Sequence, residues 1–387
     1  MQFIDLKAQH LRLADRINAR IAGVLEKQAF IQGPDVKELE AALAGFSGAK
    51  HVVSCANGTD ALQVALMALG VGQGDAVFVP SFTYTATAEV VLLLGATPVF
   101  VEVDPTTFNL DMTALDAAIE RVKAEGKLNP TCLFTVDLFG MPVDYDRARA
   151  ICDTHGIAFI SDAAQGFGAS YKGRRVGSGM ADITTTSFFP AKPLGCYGDG
   201  GAVLSKDARL HDLLVSLRVH GQAVKSDLEG RTFDHDPKYL NMRIGMNARM
   251  DTIQAAVLLQ KLAIFADEIE ARNRVADRYN QGLGDVVRTP EVIEGGVSVW
   301  AQYTIETDDR DGLAAHLKAA EIPTAVYYPI PIHKQGVYSV YPVGPGGLPA
   351  TMAAAERVIS LPMHPYLEAD VQDQIIAAIR AFAGRNA

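Results

Sequence analysis

Between residues 52 and 161 the sequence alternates short runs of β-branched and aromatic residues with segments of helical periodicity. The short runs predict strands at 52–54, 76–80, 97–103, 132–137 and 158–161. The segments between them predict helices at 59–69, 85–94, 112–125 and 145–155. Strands that alternate with helices in this way predict a mostly parallel sheet covered by helices on both faces.

Helical periodicity also flanks this region. It predicts a helical arm over 9–29, a second helix over 35–47 and one long helix from Met250 to about Leu283. A polar loop over 222–239 precedes this long helix. A predicted strand over 299–306 and a predicted helix over 311–320 follow it. We therefore expect two lobes, a large domain over 1–250 and a smaller C-terminal domain over 251–387.

Charge and cysteine content narrow the possible partners. The net charge is −10 and no run of five or more lysines or arginines occurs, which argues against nucleic acid and anionic membranes as partners. Four irregularly spaced cysteines without a CxxC pair predict neither a disulfide framework nor a zinc site. The N-terminal residues lack the pattern of a signal peptide, and no segment is apolar over a bilayer's thickness. We expect a cytoplasmic protein without a metal site.

Lys192 is the candidate for nucleophilic catalysis. It follows the run TTTSFFPA at 184–191 and precedes the glycine-rich segment PLGCYGDGG at 193–201. Flanking Phe, Pro and Gly residues would exclude water, lower the pKa of the ammonium and favour the neutral amine that attacks a carbonyl carbon. A lysine with a buried stem and a solvated ammonium is an equal alternative on this local context.

The segment SCANGTDAL at 54–62 joins a predicted strand to a helix through a turn of small residues. Backbone N–H groups at a helix N-terminus bind phosphate, and Gly58 permits close approach while the Thr59 hydroxyl lies nearby. This segment is a candidate phosphate cradle that needs no net positive charge. The alternative is that Thr59 simply caps the helix.

Two further segments follow predicted strands, where ligands of open α/β sheets bind. In ISDAAQ at 160–165, Asp162 could hold a protonated pyridine nitrogen and Gln165 could bond a ring oxygen. Alternatively, Asp162 caps the next turn. In PSFTYTAT at 80–87, Tyr84 could stack on a flat cofactor ring, although most single tyrosines pack in a core.

Together these segments match one cofactor, pyridoxal 5′-phosphate (PLP). The sequence resembles the DegT/DnrJ/EryC1/StrS family of PLP-dependent sugar-nucleotide aminotransferases over nearly its whole length. The resemblance lies in FIDL (3–6), NGTDAL (57–62), DAAQ (162–165), SFFPAK (187–192), GDGGA (198–202), NARMD (247–251) and YPIP (328–331). It implies the α/β architecture of fold-type I, like aspartate aminotransferase, with a mostly parallel seven-stranded sheet and a smaller C-terminal α+β domain.

The resemblance also implies roles for single residues. Lys192 would form the Schiff base with PLP and Asp162 would pair with the pyridine nitrogen. The cofactor-binding residues that it implies are Gly58, Thr59, Asp60, Tyr84, Asp162, Gln165, Ser187, Lys192 and Asn247. The substrate-binding residues are Arg249, His220 and Tyr328, with a structural role for His220 as an equal alternative. The active sites would lie at a homodimer interface, where Asn247 reaches the phosphate bound by the neighbouring subunit.

Within the family, the segments 187–201 and 301–304 look most like enzymes that transfer an amino group from L-glutamate to UDP-2-acetamido-2-deoxy-3-oxo-glucuronate, for lipopolysaccharide O-antigen sugars. The chain departs from that subgroup in a longer 222–239 loop and in Tyr327, which stands where the subgroup has a histidine. The alternatives are amination at C3 or C4 of another keto sugar linked to dTDP or GDP, a sugar dehydratase, and a non-catalytic PLP-binding regulator. The dehydratases usually replace the lysine with histidine.

Overall fold

The computed structural model describes residues 1–231, 236 and 239–386. Its strands are β1 (His51–Cys55), β2 (Asp75–Pro80), β3 (Thr97–Val101), β4 (Asn129–Val136), β5 (Ala158–Asp162), β6 (Ser170–Tyr171), β7 (Arg174–Arg175), β8 (Ile183–Ser187), β9 (Gly201–Ser205), β10 (Gly296–Val297), β11 (Tyr303–Glu306) and β12 (Val358–Leu361). Its helices are α1 (Leu6–Lys27), α2 (Pro34–Ser47), α3 (Gly58–Ala68), α4 (Ala86–Leu93), α5 (Met112–Glu125), α6 (Tyr145–His155), α7 (Ala208–Leu217), α8 (Lys225–Leu228), α9 (Thr252–Leu262), α10 (Phe265–Leu283), α11 (Arg310–Ala319), α12 (Pro349–Arg357) and α13 (Ala369–Asn386). Over these described ranges no helix has both the length and the apolarity to cross a bilayer.

The main sheet has seven strands in the order β1-β9-β8-β5-β4-β2-β3. Strand β9 runs antiparallel to both of its neighbours, β1 and β8, and the pairs from β8 to β3 are parallel. The prediction of a mostly parallel seven-stranded sheet is confirmed. Because β1, β2, β4, β5 and β8 point the same way, the residues that follow them meet at one edge of the sheet.

Side chains alternate between the two faces of the sheet, and each face is covered by helices. Phe78 of β2 and Leu133 of β4 pack in one core with residues of α2, α5 and α6. Val77 and Phe134, their neighbours along the strands, pack in a second core with residues of α3, α4 and α7. The near-continuous apolar runs in the sequence arise because these strands are buried on both faces.

The prediction of one long helix from residue 250 to 283 is wrong, because the chain forms two helices, α9 and α10, separated by residues 263–264. Ile264 packs with Leu13, Ile17 and Val257 beneath α1. The next residue, Phe265, lies in the main core, with its ring centroid 5.4 Å from that of Phe46. A continuous helix would turn consecutive side chains by about 100°, so the break lets both residues bury.

The C-terminal residues form a further apolar core around the antiparallel pair of β11 and β12. Tyr279 of α10, Leu313 of α11 and Ile375 of α13 surround Tyr303 there. The division of the chain near residue 250 remains a prediction. The predicted loop over 222–239 contains α8, and its residues 232–235, 237 and 238 lie outside the described residues.

Candidate active site

The turn between β1 and α3 forms a small cradle against the end of β8. Asn57 caps α3, because its Oδ1 accepts the backbone N–H of Asp60 at 2.7 Å. The expectation that Thr59 caps the helix is therefore wrong, and its hydroxyl is not used for capping. A Cβ on Gly58 would lie 2.6 Å from Cβ of Ser187. The first N–H groups of a helix lack intrahelical acceptors, so this cradle can bind an anion.

Asp60 lies in the first turn of α3, at the same cradle. Its side chain is half-buried, and burial, together with the nearby charge of Asp199, raises the pKa of its carboxyl. A carboxylate here would repel a phosphate that binds the same N–H groups. A hydrogen bond with Asn57 opposes that shift of the Asp60 pKa.

A buried arginine supports the cradle from behind. Nη1 of Arg218 donates to Glu40 Oε1 at 2.5 Å and to the carbonyl oxygen of Ser54 at 2.9 Å. The Glu40 carboxylate also accepts the backbone N–H of Ser54 at 2.9 Å. This network fixes the end of β1 just before the cradle turn. Sequence reasoning missed it because the three residues are far apart along the chain.

The backbone of Arg218 also holds the segment that carries Asn247 and Arg249. The N–H of Ala248 donates to the carbonyl of Arg218 at 3.0 Å, and its own carbonyl accepts the N–H of Ala56 at 3.0 Å. Asn247 is exposed and accepts a 2.8 Å hydrogen bond from Nε of Arg249. His220 is also exposed, with a left-handed φ of 57°.

Asp162 ends β5 as a buried carboxyl that is 6% exposed. Its Oδ1 accepts the N–H of Ala164 at 3.0 Å, so the residue does cap the next turn. Its Oδ2 accepts from the Thr87 hydroxyl at 3.4 Å. Burial raises the pKa of Asp162, while Ala164, the charge of Lys192 and Thr87 lower it. One carboxylate oxygen therefore serves the turn and the other faces the site.

Lys192 is half-buried and lies in the loop between β8 and β9. Burial lowers the pKa of its ammonium, and the opposing charge of Asp162 raises it by a smaller amount. The net shift favours the neutral amine. This environment does not fit the alternative of a lysine whose ammonium lies in solvent.

Gln165 has a fixed amide orientation. Its Oε1 accepts the backbone N–H of Phe139 at 2.7 Å, and its Nε2 donates to the Tyr328 hydroxyl at 3.1 Å. Tyr328 packs edge-on against Phe82, and burial raises the pKa of its hydroxyl, which therefore stays protonated. Tyr84 is 59% exposed, so the expectation of a core aromatic at this position is wrong. Phe82 fills the core instead.

Comparisons with known proteins show the family to which the chain belongs. The model of the DegT/DnrJ/EryC1/StrS aminotransferase family matches residues 12–380. The chain belongs to that family. It is 48% identical, over 98% of this chain and 99% of the other, to a UDP-2-acetamido-2-deoxy-3-oxo-D-glucuronate aminotransferase of Pseudomonas aeruginosa. A DegT/DnrJ/EryC1/StrS aminotransferase from Brucella abortus has a solved structure with a TM-score of 0.94 and 51% identity, covering 99% of this chain and 100% of the other.

A third similar protein, NtdA from Bacillus subtilis, has a structure with the bound cofactor PMP. Its TM-score is 0.81 at 28% identity, covering 96% of this chain and 82% of the other. The aminotransferases of this family are PLP-dependent, and the fold is fold-type I. The residues at the sheet edge fit that cofactor: the Gly58 cradle suits a phosphate, Asp162 suits a protonated ring nitrogen, and Lys192 suits an aldehyde.

Proposed function

We propose that this aminotransferase moves an amino group from L-glutamate to the C3 ketone of UDP-2-acetamido-2-deoxy-3-oxo-glucuronate. The full-length similarity to the P. aeruginosa enzyme of that name supports this substrate. We further propose that the enzyme works in the cytoplasm and that its product serves lipopolysaccharide O-antigen biosynthesis, as the sequence resemblance implies.

One observation carries the catalytic part of the proposal. Asp162, Lys192 and the Gly58 cradle come from three separate strand ends, and they converge at one edge of the sheet. A lysine whose pKa is lowered by burial, a buried acid and a phosphate cradle are the three groups that PLP chemistry requires. A sugar dehydratase is disfavoured because the lysine is present.

Each residue of the site has a proposed task. When bound, PLP carries the amino group between donor and acceptor and withdraws electrons from the reacting carbon. Asp162 Oδ2 would hold the proton on the ring nitrogen. Lys192 Nζ would attach the cofactor and move the proton that leaves the substrate carbon.

The other proposed cofactor contacts surround the phosphate and the ring. The phosphate would be bound by Gly58, Thr59, Ser187 and, from a second subunit, Asn247, with Asp60 beside them. Tyr84 would stack on the ring, and Gln165 Nε2 would bond the ring hydroxyl.

Three residues are proposed to contact the substrates. The Arg249 guanidinium suits a carboxylate of glutamate or of the uronic acid, because its planar fork binds carboxylates in bidentate fashion. The Tyr328 hydroxyl accepts from Gln165 Nε2 and, being protonated, keeps its own O–H to donate to a substrate. The backbone N–H of His220 donates to the carbonyl of Met246, three residues before Arg249. His220 is proposed to contact the sugar nucleotide.

We propose that the active enzyme is a homodimer with each active site at the interface. Large apolar residues in the segments that carry the proposed site residues are exposed in the single chain, including Phe189 at 52%, Ile244 at 87% and Tyr84 at 59%. Exposed apolar patches of this kind mark association surfaces. A monomeric active enzyme, measured by light scattering during turnover, would contradict this part of the proposal.

The substrate is tested with purified holoenzyme, L-glutamate and a panel of keto sugars. The panel contains UDP-, dTDP- and GDP-linked 3-oxo and 4-oxo sugars, and products are identified by mass spectrometry. We expect the 3-oxo-glucuronate derivative to have the highest kcat/KM. Preference for a dTDP or GDP sugar would overturn the substrate assignment. If glutamate neither changes the absorbance of bound PLP nor yields 2-oxoglutarate, the protein is a PLP-binding regulator.

Replacing the proposed catalytic lysine tests the site itself. Lys192→Ala should lower kcat by about 10²–10⁴-fold or more, the range for loss of a positioned acid–base group. Lys318→Ala, at an exposed position of α11, is the matched control and should leave kcat unchanged. A Lys192→Ala variant with wild-type turnover refutes the assignment.

A further inference from the structure

A second carboxyl, Asp137, lies beside Asp162 and is not used in the proposed chemistry. It follows β4, is fully buried, and its backbone N–H donates to the carbonyl of Asp162 at 3.0 Å. Its side chain turns into the core, where Oδ1 accepts the N–H of Val143 at 2.9 Å. Oδ2 lies 2.8 Å from the Tyr145 hydroxyl and 3.2 Å from the Ser161 hydroxyl, and these two hydroxyls lie 2.8 Å from each other. The three contacts need three hydrogen atoms and the two hydroxyls supply two, so a proton on the carboxyl completes them. The carboxyl therefore joins β4, β5, α6 and the loop at 138–143.

This loop controls the orientation of Gln165. Phe139, within the loop, has a left-handed φ of 58°, and its N–H is the donor to Gln165 Oε1. Asp137 pins both ends of the loop, through its own backbone and through the N–H of Val143. Asp137 also packs closely against the turn after β5, because a Cβ added to Gly166 would lie 2.3 Å from the Cβ of Asp137. With Oε1 engaged by Phe139, the Gln165 amide can offer only its N–H groups to Tyr328 and to the site.

The charges around Asp137 do not favour its ionisation. No cationic side chain among the described residues hydrogen-bonds to it. The charge of Asp162 acts on Asp137, and the charge of Lys192 acts on Asp162. Tyr145 stays neutral, because burial raises the pKa of its hydroxyl. The charge that acts on Asp137 is therefore that of an acid.

We propose that Asp137 is a positioning residue that works as a protonated acid: it fixes the Phe139 amide, and through it Gln165, without adding a second negative charge beside Asp162. In support, burial raises the pKa of Asp137 to about 7. Hydrogen bonds from Val143, Tyr145 and Ser161 lower that pKa, and the charge of Asp162 raises it further. The proposal rests on the proposed roles of Asp162 and Gln165 toward PLP.

Asparagine is the decisive replacement because it copies the protonated acid. In Asp137→Asn, the amide oxygen can accept from Val143 while Nδ2 donates to the hydroxyl oxygens of Tyr145 or Ser161. We expect this variant to bind PLP within threefold of wild type. Asp137→Ala removes the pin and should weaken PLP binding at least tenfold. Equal losses in both variants would show that a carboxylate is required and overturn the proposal, as would an Asp137→Ala variant with wild-type affinity.

The protonation state is measured on the apoprotein, so it does not depend on turnover. Infrared difference spectra of wild type minus Asp137→Asn at pH 6 should contain the C=O band of a protonated carboxylic acid. The matched control, Asp146→Asn, should show only carboxylate bands, since a hydrogen bond from Lys172 lowers the pKa of that exposed acid. Carboxylate bands alone in the Asp137 difference spectrum would overturn the proposal.

The pH dependence of stability is a second test of protonation. It compares wild type with Asp137→Asn, so it remains decisive if Asp137→Ala does not fold. The folded pKa of Asp137 lies above its ordinary value of 3.8, so the folded state holds a proton that the unfolded state has lost. Between pH 5 and 7, the folding constant of wild type should therefore fall relative to Asp137→Asn by up to about tenfold per pH unit. A constant ratio over this range would contradict the proposal. If the apoprotein passes both tests but PLP does not bind, the proposed function fails instead.

Discussion

Gly58→Ala tests whether close packing at the cradle sets cofactor affinity. The added methyl group would lie 2.6 Å from Cβ and 3.0 Å from Oγ of Ser187. Carbon atoms pack best at about 3.5–4.0 Å, so the two segments must separate by about 1 Å. Ser187 belongs to β8, which is hydrogen-bonded to β5 on one side and β9 on the other. The turn at Gly58, with its phosphate-facing N–H groups, is therefore the part that moves.

The size of the effect follows from the cost of overpacking. Inserting a methylene into a closely packed site costs about 1–3 kcal/mol. At about 1.4 kcal/mol per factor of ten, this corresponds to about a 5- to 140-fold change. We expect Gly58→Ala to lose about 1–3 kcal/mol of unfolding free energy and to bind PLP more weakly by a factor in this range.

Urea unfolding of the apoprotein and titration with PLP measure the two quantities separately. Gly45→Ala in α2 is the matched control, because a Cβ there meets no atom within 4 Å. It should gain about 0.5–1 kcal/mol from the lower entropy of the unfolded chain. Ser187→Gly removes the clashing Cβ, so adding it to Gly58→Ala should recover the lost stability. PLP affinity should stay low in the double variant, because the Ser187 hydroxyl is also gone.

The steric reasoning is refuted by either of two results. One is a Gly58→Ala variant that keeps wild-type stability and PLP affinity. The other is a double variant that is less stable than Ser187→Gly by as much as Gly58→Ala is less stable than wild type.

The remaining predictions concern supporting groups. Arg218→Met leaves Glu40 without its cation and should cost about 3 kcal/mol in urea unfolding, the low end for a broken buried pair, because Glu40 keeps some solvent contact; a loss below 1 kcal/mol would contradict this. Burial raises the thiol pKa of Cys55 and Cys152 to about 12 and that of Cys196 to about 11. A thiol reagent at pH 8 should therefore label these cysteines only after unfolding, and prompt labelling of the native protein would show that burial does not protect them.

The regular part of the fold could be predicted because buried strands and amphipathic helices have distinct periods. Predicted helices 112–125 and 145–155 coincide with α5 and α6. The break at 263–264 could not, since neither Gly nor Pro marks it and the cause is packing of Ile264 and Phe265 into different cores. The residue that caps α3 could not be predicted either, because Asn57 and Thr59 are both good capping residues and the sequence does not distinguish them.

The site could be predicted where one residue type serves one chemical need, as for Lys192 and Asp162. The supporting contacts could not, because they join distant residues such as Glu40 and Arg218. Asp137 is an intermediate case. The apolar residues before it resemble those before Asp162, so the same pattern of an acid after a buried strand was visible in the sequence.

The pairing of β1 with β9 has a consequence for synthesis of the protein. Cys55 pairs with Gly201, so the strand that pairs with β1 is synthesised only about 150 residues later. At a synthesis rate of about 5–20 residues per second, this interval lasts about 8–30 s. During it, β1 is an unpaired edge and a hazard for aggregation. Lys192 is synthesised late in the same interval, so the proposed cofactor site cannot be complete before the interval ends. Chaperones that shield strand edges should act mainly during this time.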